Sequence, residues 1–127
     1  PIPYTYKGVW RSPADVEQVM ANSDIILSCS AYETFGATIA EGIAAGCIAV
    51  TTGTGGQRDI VDHLHNGYIV EQGEPFANGI QWAINKIKEE RANGTVIEAR
   101  QQRREEMARR FAPEVIAKQF VKFLSNL

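Results

Sequence analysis

The strongest constraint on the fold of this chain is a pair of short segments with uninterrupted apolar interiors, residues 24–28 and 47–51. Such runs are typical of strands buried on both faces, which occur in parallel sheets covered by helices. Residues 37–45 between them are mostly small and apolar, and Gly36 and Gly46 flank them, which indicates a buried helix. The order strand, helix, strand predicts a parallel pair joined by a right-handed crossover.

The flanking segments continue this alternation of strands and helices. A strand is predicted over Ile2–Tyr6, ending at Gly8, and a helix from Ser12 to about Asn22, with Ser12 as its cap and Pro13 in its first turn. The later segments predict a short helix at 57–63, a strand at 68–70 and helices at 75–91, 96–110 and 113–124. The charged 96–110 segment is expected to be a solvated helix held by pairs of side chains four residues apart.

Together these segments predict an α/β fold, a Rossmann-like three-layer sandwich with a small parallel sheet of about four strands and a helical carboxy-terminal end. The 127 residues suit one domain, 1–127. A net charge of −2 gives no basic excess for nucleic-acid binding. No apolar run is long enough to span a bilayer, and we expect a cytoplasmic protein in which Cys29 and Cys47 are buried free thiols.

Glu41 is the only charged residue between Phe35 and Val50, and its helix is apolar on nearly every side. An unpaired buried carboxylate costs several kcal/mol. Glu41 is therefore expected either to have an internal ion pair or backbone partner, or to face a cleft. Glu33 lies in the preceding loop, where a carboxylate can accept hydrogen bonds from hydroxyl groups.

Gly36 would stand between a parallel strand and a helix, at the sheet edge where open α/β sheets bind ligands. The free amides of residues 35–38 and the helix dipole would then favour an anion. A second loop, with Gly53, Gly55 and Gly56, allows close approach of the backbone to a ligand. An anion site beside two carboxylates suits a ligand with phosphates and many hydroxyls, such as a nucleotide sugar.

Several motifs in this chain closely resemble the donor-side domain of retaining GT-B glycosyltransferases, the GT4-like group 1 enzymes. They are Glu33-Thr-Phe-Gly with Glu41 after seven intervening residues (an EX7E motif), the Gly55-Gly56 pair, Asp59-Ile-Val61 and Asn66-Gly-Tyr-Ile-Val70. The similarity implies a hexosyltransferase that transfers a sugar from a nucleotide-diphosphate sugar with retention, without a metal or other cofactor.

The same resemblance implies a division of roles among the site residues. Glu33 would be the catalytic-site residue that binds hydroxyls of the donor sugar, and Glu41 would bind the ribose hydroxyls. The substrate-binding residues of the donor site would be Phe35, Gly36, Ala37, Thr38, Glu41, Gly55 and Gly56. Cys47 stands where the family usually has proline.

The basic residues that neutralise the diphosphate in this family lie upstream of the matching motifs, as does the acceptor domain. The chain is therefore expected to be a truncated donor-binding part, inactive alone. The sugar, glycolipid or polysaccharide acceptor would bind the missing amino-terminal domain, and the full-length protein could lie at the cytoplasmic face of a membrane. A truncated sheet could also self-associate.

Two other functions remain open from the residues alone. One is an NDP-sugar epimerase of the same fold, which would use a similar nucleotide site. The other is a non-catalytic α/β module that binds nucleotides.

Overall fold

The computed structural model describes residues 3–8 and 12–127. Within these residues, helices and strands alternate as far as the last strand, and three helices follow it. Their order is α1 (Pro13–Ala21), β1 (Ile25–Ser28), α2 (Ala37–Ala44), β2 (Ile48–Thr51), α3 (Gln57–Ile60), β3 (Gly67–Ile69), α4 (Phe76–Asn93), α5 (Val96–Phe111) and α6 (Pro113–Ser125).

The three strands form one parallel sheet in the order β1-β2-β3. Ile25 pairs with Ile48, and Ala49 pairs with Gly67. All four residues of the central strand β2 are buried, as predicted. The same prediction is wrong for β1, which lies at the end of the sheet and leaves Leu27 50% exposed. The α/β class and the parallel sheet are confirmed, with three strands in place of about four.

The strand predicted over Ile2–Tyr6 is wrong for the residues that the structure describes. Residues 3–8 are exposed and belong to no strand, whereas Ile2 lies outside the described residues. A strand forms only where a neighbouring strand satisfies its backbone hydrogen bonds, and an alternating sequence does not supply that neighbour.

Helices cover both faces of the sheet and enclose two apolar clusters, which gives the predicted three layers. Ile48 and Val50 of β2 pack with Ala83 of α4 on one face. Ala49 packs on the other face with residues of α2, α3, β3 and α5, which include Ile39, Ile43, Ile60, Ile69 and Met107. The two clusters follow from the alternation of side chains along β2.

Helix α2 lies close against β1 because Gly42 has no side chain. A Cβ atom at Gly42 would lie 2.5 Å from Cδ1 of Ile26. This contact fixes α2, the helix that carries Glu41, on the sheet.

The prediction that residues 96–110 form a purely solvated helix face is wrong for two arginines. Arg103 is 6% exposed, and its Nε donates to the carbonyl of Gly46 at 2.9 Å. Arg100 donates to the carbonyls of Ser23 and Ala45 at 2.8 and 3.0 Å. These guanidinium groups satisfy loop carbonyls beneath α5, a role that the sequence pattern does not reveal.

The two cysteines are both free but differ in burial. Cys47 is buried, and its Sγ lies 3.2 Å from the carbonyl oxygen of Met20. Burial raises the pKa of the Cys47 thiol, although the nearby Arg100 acts in the opposite direction. Cys29 is exposed at the end of β1, contrary to the prediction that both thiols are buried.

Candidate functional site

Two loops lie side by side at the carboxyl edge of the sheet, one after β1 (29–36) and one after β2 (52–56). Thr52 and Thr54 of the second loop donate their hydroxyls to the carbonyl of Ser30 at 2.5 and 3.2 Å. The amide of Gly56 donates to the carbonyl of Thr34 at 3.2 Å. These bonds hold the first loop, which carries Glu33, against the second.

Gly55 and Gly56 make this contact between the loops possible. Gly55 has φ +56°, and a Cβ atom there would lie 1.5 Å from the carbonyl oxygen of Glu33. A Cβ atom at Gly56 would lie 2.6 Å from Cα of Phe35. The close approach that these glycines permit is therefore between two protein loops, and their approach to a ligand stays a prediction.

The Glu33 carboxylate is half-buried and is held by the hydroxyl of Ser30, which donates to Oε1 at 3.2 Å. Ser30 in turn accepts from Ser28 at 3.2 Å, and Ser28 accepts from Nε2 of Gln57 at 3.1 Å. Gln57 was not predicted as a site residue. The only feature of the sequence that points to it is its position directly after Gly55-Gly56, in the loop that follows a buried strand.

Helix α2 begins at the same edge with exposed backbone donors. Gly36 precedes the helix in a left-handed conformation, φ 87°, and no side chain caps the helix start. The first amides of a helix have no acceptor within it, and here Ala37 and Thr38 are exposed. The positive end of the helix dipole is thus open beside Glu33.

Glu41 is exposed and faces a groove of 750 Å³ between α2 and α5. The groove wall includes Phe35, Arg104 and Phe111. The Phe35 and Phe111 rings meet edge to face, with centroids 5.9 Å apart. Within the described residues no ion pair or hydrogen bond engages the Glu41 carboxylate. Glu41 thus faces a cleft, and no group among the residues that the structure describes is its ion-pair or backbone partner.

A second cavity of 740 Å³ opens at the carboxyl ends of the strands and includes Ser30, Thr52, Arg58 and Glu71 in its wall. Arg58 and Glu71 form a two-pronged pair, with nitrogen to oxygen distances of 3.1 and 2.6 Å. The hydrogen bonds from Arg58 lower the pKa of the Glu71 carboxyl group. Ser30, which donates to the Glu33 carboxylate, is thus also part of the wall of this cavity.

The described residues contain no group of three or more His, Cys, Asp or Glu side chains that could hold a metal ion. Among the same residues, no helix is both long enough and apolar enough to cross a membrane. His63 and His65 lie on an exposed turn, where Nδ1 of His63 accepts from the amide of Ile69 at 2.9 Å and Nε2 of His65 lies 2.7 Å from Glu106.

Comparison with solved structures supports the same architecture. The chain superposes on the structure of Anabaena Alr3699/HepE in complex with UDP and glucose with a TM-score of 0.65 and 28% identity. It also matches the complex of that protein with UDP-glucose, with a TM-score of 0.64 and 28% identity. In both comparisons the match covers 93% of this chain and 31% of the Anabaena chain.

Sequence comparison gives the family. The N-acetyl-alpha-D-glucosaminyl L-malate synthase of Bacillus anthracis is 30% identical over 106 residues, which are 84% of this chain and 27% of that protein. The chain thus spans less than a third of the length of these relatives. A profile of the family described as "Glycosyl transferases group 1" matches residues 7–109. From this match, and from the fold shared with HepE, the chain belongs to the group 1 glycosyltransferases.

Proposed function

We propose that this chain is the donor-binding part of a retaining hexosyltransferase and binds a nucleotide-diphosphate sugar at the carboxyl edge of its sheet. The observation that carries the proposal is the open Glu41 carboxylate, which faces a groove beside the free start of α2. A carboxylate that bonds to no group among the described residues is suited to accept hydrogen bonds from a ligand.

The groove between α2 and α5 would hold the nucleoside. Its volume of 750 Å³ lies within the usual range for small-molecule sites, and Phe35 and Phe111 give it aromatic walls. Glu41 would accept hydrogen bonds from the two ribose hydroxyls. UDP is the first nucleotide to test, because the similar Anabaena structures contain UDP or UDP-glucose.

The diphosphate and the donor sugar would lie at the start of α2. The backbone amides from Phe35 to Thr38 and the helix dipole favour the negative charge that grows on the leaving diphosphate. The Glu33 carboxylate would bind hydroxyls of the sugar, and Gly55 and Gly56 keep its loop in place. We propose that the transfer proceeds with retention and needs no metal, with basic residues outside this chain completing the diphosphate site.

The remaining partners follow from the same arrangement. The acceptor, a sugar, glycolipid or polysaccharide, would approach from a second domain of the full-length protein. A cytoplasmic location, with or without contact with the membrane face, would give access to nucleotide sugars.

A substitution of Glu41 tests the nucleoside site in the protein that carries this chain. Glu41→Gln keeps the shape of the side chain but removes the charge that strengthens both hydrogen bonds. We expect the Kd for UDP, measured by calorimetry, to rise about tenfold, which is about 1.4 kcal/mol. Glu89→Gln, an exposed substitution on α4 across the sheet, is the matched control.

The ligand can be changed as well as the protein. Wild-type protein should bind 2′-deoxy-UDP more weakly than UDP. In Glu41→Gln the difference in affinity between the two ligands should be smaller, because the missing hydroxyl and the missing charge belong to the same interaction. Equal UDP affinities for wild type and a folded Glu41→Gln protein would show that Glu41 does not bind the ribose.

A further inference from the structure

We propose that Gln57 is a positioning residue that holds the Glu33 carboxylate through a relay of hydroxyl groups. The relay runs from Thr51 to Gln57, Ser28, Ser30 and finally Glu33. This inference rests on the proposed function, in which Glu33 binds hydroxyls of the donor sugar.

The relay joins three parts of the fold that are far apart in sequence. Thr51 is the last residue of β2, Gln57 the first of α3, and Ser28 the last of β1. The hydroxyl of Thr51 hydrogen-bonds to Oε1 of Gln57, and Nε2 of Gln57 lies 3.1 Å from Oγ of Ser28. Two further steps of 3.2 Å lead to Oε1 of Glu33.

The ionised carboxylate sets the direction of every bond in this relay. It can only accept, so Ser30 must give it its single hydroxyl proton. Ser30 must then accept from Ser28, and Ser28, having used its own proton, must accept from the amide nitrogen of Gln57. This orientation leaves Oε1 of Gln57 to accept from Thr51. All four bonds thus point toward the charge and polarise one another in the same sense.

Burial fixes the end of the relay that is farthest from Glu33. The side chains of Gln57 and Thr51 are fully buried, at 0% exposure, and neither can exchange its partner for water. Gln57 also supports the start of α2, because a Cβ atom at Gly36 would lie 2.9 Å from Cγ of Gln57. One buried side chain therefore contacts both the end of β1, through Ser28, and Gly36, the residue before α2.

The relay leaves half of the carboxylate for a ligand. Oε1 of Glu33 is occupied by Ser30, whereas no side chain or backbone amide among the described residues donates to Oε2. A carboxylate fixed through one oxygen presents the other in a defined direction, and such preorganisation determines how well a bound sugar is oriented for reaction.

The test replaces Thr51, the residue of the relay that is farthest from Glu33, with either valine or serine. Thr51→Val keeps the volume and removes the hydroxyl, whereas Thr51→Ser keeps the hydroxyl and loses a methyl group. If Thr51 only packed the core, Ser would be the more harmful change, since it leaves a cavity. The relay predicts that Thr51→Val lowers kcat about tenfold and that Thr51→Ser restores the greater part of that loss.

Two variants of Gln57 complete the series. Gln57→Met removes both hydrogen bonds at nearly constant shape, and Gln57→Glu cannot donate to Ser28 while ionised, so it opposes the relay direction. The donor for this assay is whichever of UDP-, GDP- and ADP-glucose the wild-type protein turns over. Both variants should lower kcat with that donor. The Kd for UDP should stay within about twofold of the wild-type value, because UDP lacks the sugar that Glu33 would bind. Asn66→Leu is the control, because it removes another buried side-chain amide, one that bonds to the backbone of Ile60 and Asp62 and to no member of the relay.

A structural measurement applies whether or not a donor is found. In the NMR spectrum of the full-length protein, Glu33→Gln should shift the side-chain amide signals of Gln57, and Asn66→Leu should not. Two results would overturn the relay and leave the proposed function intact. One is that the Gln57 signals do not shift. The other is that Thr51→Val has the same kcat as wild type while Glu33→Gln has a lower one. A Glu33→Gln protein with unchanged kcat would overturn both the relay and the sugar-binding role of Glu33.

Discussion

At the residue scale, Gly55 determines whether the two loops of the site can touch. Its φ of +56° is unfavourable for other residues, and a Cβ atom would overlap the Glu33 carbonyl oxygen at 1.5 Å. We expect Gly55→Ala to lower the free energy of unfolding by roughly 3 kcal/mol, measured by urea denaturation, because the loops must separate to admit the methyl group.

Gly94→Ala separates the effect of contact from the effect of backbone conformation. Gly94 has a similar φ of +67°, but nothing lies within 4 Å of the Cβ position. This variant should lose only about 1 kcal/mol, the usual cost of a left-handed alanine. Equal losses for the two variants would mean that the loops do not meet at Gly55 as described.

The residues of the candidate site differ in how far the sequence reveals them. Glu41 could be predicted, because a lone carboxylate in an apolar helix needs either a partner or a cleft, and the structure supplies the cleft. Gln57 could not be predicted from the sequence, because a glutamine at the start of a helix is common on protein surfaces. Its role depends on Ser28, which is 29 residues earlier in the chain and is brought near only by the sheet.

At the scale of elements, α4 and α5 are joined by a buried ion pair. Nη1 of Arg103 lies 2.6 Å from Oε1 of Glu90, and the two side chains are 7% and 12% exposed. Arg103→Met would leave the Glu90 carboxylate buried without its partner and also remove the donor to the carbonyl of Gly46. We expect a loss of about 3 kcal/mol in the free energy of unfolding, measured by urea denaturation.

The double variant Arg103→Met/Glu90→Gln tests whether the loss comes from the uncompensated charge. It should recover part of the stability, because a neutral amide costs less to bury than a carboxylate without a cation. A double variant that is as unstable as the sum of the single variants would show that the pair contributes no coupling.

Elements that are apolar in their own sequence were predicted better than elements whose position depends on a distant part of the chain. β1, α2 and β2 were predicted because each is apolar in its own sequence, but that property does not fix burial: β2 is fully buried, whereas the edge strand β1 leaves Leu27 50% exposed. The strand over 2–6 was predicted from alternation, which indicates a possible strand but not its neighbour. The inward direction of Arg100 and Arg103 was missed because charge patterning does not show which loop carbonyls lie beneath a helix.

At the scale of the whole molecule, the described residues leave apolar side chains exposed on β1 and on α6. Leu27 on β1, a strand at the end of the three-stranded sheet, is 50% exposed. Helix α6 contacts the rest of the chain mainly through α5 and is amphipathic. Its outer face carries large exposed apolar side chains, namely Ile116, Phe120, Val121, Phe123 and Leu124. An apolar surface of this kind is typical of an interaction site.

We therefore expect this 127-residue chain, studied by itself, to self-associate through α6. Sedimentation velocity should show an average mass that rises with concentration, because association removes the apolar face from water. Phe120→Ser/Phe123→Ser should shift the chain toward monomer at equal concentration, since those side chains are 61% and 63% exposed and contribute most of the aromatic surface of the face.

Ile97→Ser is the control, because it removes a lone apolar side chain on α5 that is 78% exposed. It should leave the mass distribution unchanged. A wild-type chain that stays monomeric across the concentration range, or a double variant that associates as strongly as wild type, would show that α6 does not drive association.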